Sequence, residues 1–93
     1  MKNLVILPSN VNIYRAKIQE LRNELNALDD RAYFNEWDYN DLLMSAVYFV
    51  SSLDNAKVVL AKNAVKVMRN DLMILLDDIK NSKEARQNKI NVA

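Results

Sequence analysis

Ser51-Ser52-Leu53-Asp54-Asn55 is the stretch on which the fold of this chain turns. It is the one plausible break in the second half of a sequence that contains neither glycine nor proline from Ser9 to Ala93. Glycine supplies the positive φ of tight hairpins and proline presets turn geometry, so 85 residues without either predict helices and leave little with which to build a β-meander. Ser51 with Asp54 at the third following position resembles a capping box, although Glu or Gln is the usual partner. Two readings follow. Either a short turn separates a second helix, 38–51, from a third, 53–81, or one helix runs through 38–81. The continuous version would be roughly 66 Å long at ~1.5 Å per residue. It could not fold back on itself, and its apolar face would require partner chains.

Upstream of this stretch, Leu4 to Leu7 followed by Pro8, Ser9 and Asn10 reads as an extended apolar arm, 1–8, that stops at a helix start, since Ser and Asn are favoured N-caps. A first helix is expected over 9–31. Its apolar residues Val11, Tyr14, Ile18, Leu21, Leu25 and Leu28 are spaced three, four, three, four and three apart, a strict heptad seam. An aromatic connection, 32–37, leads into helix two, which Asn35 or Asp38 can cap. Within that helix, Leu42 to Val50 is apolar except at Ser45, so it needs cover on more than one side. Downstream, Val58 to Ala61 and Leu72 to Leu76 are further apolar runs wider than one helix stripe, and 82–93 reads as a polar tail that frays. The expected fold is all-α and a single domain: a three-helix bundle or long helical hairpin, completed by self-association into a homo-oligomer.

Composition bounds the function. Apolar residues make up 51% and charged residues 27%, a globular balance, while the net charge of +1 means that any electrostatic partner must be recruited by a local patch. No cysteine occurs, which fits a cytoplasmic protein. No 18-residue uncharged stretch is present to span a membrane. Thirteen asparagines against two glutamines suggest an AT-rich source such as a phage or mobile element. Without histidine or cysteine there is no imidazole base, thiolate nucleophile or standard zinc set, so no enzyme, cofactor or metal centre is expected. Asp71, Asp77 and Asp78 allow a carboxylate cation site to be drawn, but such carboxylates usually serve as solvated surface.

Two patterns remain as candidate sites. Tyr33, Phe34, Trp37 and Tyr39 place four of the seven aromatic residues within seven positions, either as a plug over the end of the core or as a protein-binding hot spot. Charge is also divided: Glu36, Asp38, Asp41 and Asp54 are the only ionisable residues between Ala32 and Asp54 apart from the tyrosines, and Lys57, Lys62, Lys66 and Arg69 the only ones from Asn55 to Asn70. Lys62, Lys66 and Arg69 fall on one helix face. That stripe either pairs with the acidic segment, within the chain or between chains, or binds nucleic acid, a nucleotide or an acidic surface. The leading expectation is a protein–protein interaction protein, an adaptor, inhibitor or assembly factor, with the anion-binding module as the alternative.

Overall fold

The computed structural model describes residues 4–92, in which three helices and one minimal pair of strands follow in the order β1 (Val5–Ile6), a 3-10 turn (Pro8–Asn10), α1 (Val11–Asp30), α2 (Glu36–Asp54), β2 (Lys57–Val58) and α3 (Lys62–Val92). Residues 1–3 of the expected arm and residue 93 of the expected tail lie outside the described residues. The fold is therefore all-α in substance, as the missing glycine and proline predict. Polar contacts fix the directions of the helices. Arg22 meets Asp78 at 2.8 Å and Ser82 Oγ donates to Asp29 at 3.1 Å, so α1 and α3 run parallel. Arg69 pairs with Asp54 and Lys83 with Glu36, which makes α2 and α3 antiparallel.

The α1 seam packs inward. Val11, Leu25 and Leu28 are buried, and Tyr14, Ile18 and Leu21 pack against the core while partly exposed. Met68, Leu72, Leu75 and Ile79 of α3 are exposed by 1% or less. Burying each contributes about 1.5–3 kcal/mol relative to leaving it in water.

The break between α2 and α3 exists, but it lies at 55–61 and not at 51–55, so neither the early turn nor the continuous 38–81 helix is formed. Ser51 to Asp54 stay helical and provide no capping box; the helix closes just beyond them, where Asn55 Nδ2 donates to Ser51 O at 3.0 Å and Ala56 N–H to Leu53 O at 3.2 Å. The chain then straightens where Val58 and Val59 favour extended backbone. There it pairs in parallel with the arm, Val5 opposite Lys57 and Ile6 opposite Val58. Lys57 N–H donates to Leu4 O at 2.7 Å and Val59 N–H to Ile6 O at 2.9 Å. Asn10 takes the other edge of β1, accepting from Leu7 N–H at 2.8 Å and donating to Val5 O at 3.1 Å. Its carboxamide thus acts as a one-residue third strand, and this, not capping α1, is what the asparagine does.

Two other boundaries also move. Helix two begins at Glu36, where Asn35 Oδ1 accepts the Trp37 N–H at 3.0 Å. The segment expected to fray is the last third of α3, which is helical to Val92. Contacts to the other two helices hold it there, and the most extensive come from Arg86.

Candidate interaction surface

The aromatic cluster is divided by the start of α2. Tyr39 is 1% exposed and Phe34 half-buried, with ring centroids 5.6 Å apart, whereas Tyr33 and Trp37 are 60% and 72% exposed. Positions 37 and 39 differ by ~200° around a helix, so one ring enters the core as the other leaves it. Tyr39 is therefore a plug residue with no surface to offer a partner, which corrects its place among the candidate binding residues. Its hydroxyl donates to Asp29 Oδ1 at 2.9 Å and accepts from Arg86 Nη1 at 2.9 Å. Burial pushes this phenol above its usual range. The same guanidinium bonds the carbonyls of Leu28, Arg31 and Tyr33, and its carbon lies 5.8 Å from the Phe34 ring centroid. Arg86 thus satisfies the open carbonyl end of α1 and fixes the connection to α2. Nothing in its local sequence signals this role, since its acceptors lie 47 to 58 positions away.

On α2 the core takes Tyr39, Leu42, Ala46 and Leu53, and the opposite face is left open. Trp37, Met44 and Tyr48 are 72%, 58% and 72% exposed, with Val47 beside them. With Asp41 and Ser51 these residues follow the spacing 37, 41, 44, 48, 51, which places them along one line of the helix. Met44 and Tyr48 lie inside the run read as apolar on all sides; the alternation of inner and outer faces is in the sequence but shows only once the inner face is located. A smaller exposed apolar set, Val67, Met73 and Ile74, lies on α3.

The basic stripe is partly spent within the chain. Arg69 Nε donates to Asp54 Oδ1 at 2.7 Å, and this carboxylate raises the pKa of the guanidinium further. Lys62 and Lys66 are exposed and make no ion pair among the described residues. Of the acidic segment, Glu36 pairs with Lys83 and Asp38 with Arg31. Asp41 is its one carboxylate with no ion pair among the described residues. Asp78 is engaged by Arg22, and no cluster of three or more metal-ligating side chains occurs among the described residues. No helix there is long and apolar enough to cross a membrane.

No protein-family model matches this chain, and comparison with curated proteins and with solved structures finds no match either. The functional reading rests on the molecule's own surface.

Proposed function

We propose that this is a small helical interaction protein, acting as an adaptor, inhibitor or assembly factor, that binds a protein surface through the outer face of α2. The observation that carries the reading is the coincidence on one line of two aromatic side chains, Trp37 and Tyr48, each 72% exposed, with Met44 between them. Aromatic rings and methionine are the side chains most enriched in the desolvated centres of interfaces. Large apolar groups aligned in this way would otherwise cost solubility. Tyr33, exposed in the connection that leads into α2 and with the Arg31 guanidinium 5.6 Å from its ring, is the further aromatic group we assign to this surface. The site keeps Tyr33 and Trp37 from the aromatic cluster, loses Tyr39 to the core, and gains Met44 and Tyr48. Absence of cysteine suits a cytoplasmic setting for such a protein.

Native mass spectrometry of the protein purified gently from its source tests this. The wild-type chain should carry at least one further chain, its own or another. A Trp37→Ser, Tyr48→Ser variant of unchanged helicity should travel as a bare monomer. A bare wild-type monomer, or a partner retained by the variant, would refute the assignment.

A further inference from the structure

We infer that the occupant of the α2 face is a second copy of this chain, its α2 lying antiparallel to the first about a two-fold axis at the level of Ala46. The inference rests on the reading of that face as the binding surface and adds the identity and orientation of the partner. Trp37, Asp41, Met44, Tyr48 and Ser51 keep the alternation of four and three that pairs helices, yet they face away from the core of their own chain. In an antiparallel pair centred at Ala46, Met44 of each copy meets Tyr48 of the other, a thioether against an aromatic ring. Asp41 meets Ser51, a carboxylate against a hydroxyl donor. Both matches occur twice by symmetry, as an isologous interface requires.

The alternatives are less well matched. In a parallel pair every residue meets its own copy, so Asp41 would face Asp41 and the acidic first turns carrying Glu36 and Asp38 would lie together. Of the neighbouring antiparallel registers in step with the same rhythm, the one centred between Leu42 and Leu43 brings the two Asp41 positions within ~4.5 Å along the axis, and the one centred between Phe49 and Val50 leaves Trp37 and Asp41 beyond the end of the facing helix at Asp54. The Ala46 register separates the two Asp41 positions by ~15 Å. Charge then poses little obstacle, because Lys83, Arg31 and Arg69 already neutralise Glu36, Asp38 and Asp54. Area is also sufficient. An aromatic side chain buries about 150–250 Å², so the two faces with Met44 and Val47 offer on the order of 1,000 Å², the lower bound for a specific interface.

The chain has no cysteine, so introduced thiols report geometry without background. Asp41→Cys and Ser51→Cys both alter exposed positions, and a disulfide requires Cα atoms within about 7 Å. Upon oxidation, a mixture of the two variants should give a cross-linked dimer, while each alone should give none. Wild type should sediment as a concentration-dependent monomer and dimer, and Met44→Glu, with helicity unchanged, should self-associate at least about tenfold more weakly. Self-linking of either variant alone, no link in the mixture, or a wild-type chain that stays monomeric across the concentration range would each overturn the proposal. If the purified chain is monomeric but source material carries a foreign chain that Trp37→Ser, Tyr48→Ser releases, this inference falls and the interaction reading stands.

Discussion

Leu60 has a φ of 55°, the one positive value among the described residues, and its side chain is 91% exposed. A left-handed backbone costs an L-residue about 1–2 kcal/mol, and at this exposure little burial offsets it. A chain without glycine has to make this reversal between β2 and α3 on some side chain. Asparagine tolerates the conformation better, so Leu60→Asn should raise the unfolding free energy in urea by about 0.5–1 kcal/mol, and the β-branched Leu60→Val should lower it. A destabilised Leu60→Asn would mean that the leucine makes contacts that outweigh its strain. Tyr39 gives a second prediction. Burial raises its pKa in the folded state above the unfolded value near 10, so its contribution to stability is complete below pH 10 and is lost as pH rises through the folded value. Tyr39→Phe should cost about 1 kcal/mol at neutral pH by removing the bond to Asp29, and should flatten the alkaline decline. Urea midpoints between pH 7 and 11 would show it; equal declines in both proteins would assign the ionisation elsewhere.

At the scale of elements, what was legible in the sequence was what local pattern encodes. The α1 seam follows from spacing alone, and all six of its residues pack on or in the core. The cap of α2 was legible as a choice of two, of which Asn35 is used. The arm was visible as extended and apolar, but not its partner, because Lys57–Val58 lies some fifty residues away and two-residue strands leave no alternation to read. The α2–α3 break lies later than its local residues suggest for a related reason. Serine, aspartate and asparagine suit a cap or a helix end equally well, and the choice is made by the pairing of Val58 with Ile6, which is tertiary. The candidate site divides in the same way. Trp37 and Tyr39 look alike in sequence, and only the start of α2 at Glu36 decides which ring is inside. The outer stripe through Met44 and Tyr48 was hidden by the apolar residues of the opposite face.

For the whole molecule, the decisive element is the end of α3. Its 31 residues make a helix roughly 46 Å long, within a molecule whose longest extent is 52 Å. The turns after Asn81 have the composition of a tail, yet Ser82 bonds Asp29, Lys83 holds Glu36 and Asn40, and Arg86 bonds Tyr39 and the carbonyls of Leu28, Arg31 and Tyr33. These contacts tie all three helices at one end of the bundle. A chain ending at residue 81 would leave several partly buried acceptors without donors, at about 1–3 kcal/mol each where water cannot replace them. That loss is comparable to much of the ~5–15 kcal/mol by which a domain is stable, so the 1–81 chain should unfold at far lower urea than the full chain or lack a cooperative transition. A chain ending at Gln87 keeps every one of these side chains and should stay much closer to full length. In the full chain, Arg86→Ala should reproduce most of the loss. Arg86→Lys should restore little, because one ammonium cannot match two guanidinium nitrogens that together reach four acceptors. If the 1–81 chain instead unfolds within about 1 kcal/mol of full length, the last turns are the loose tail that their composition suggests, and the bundle is held without them.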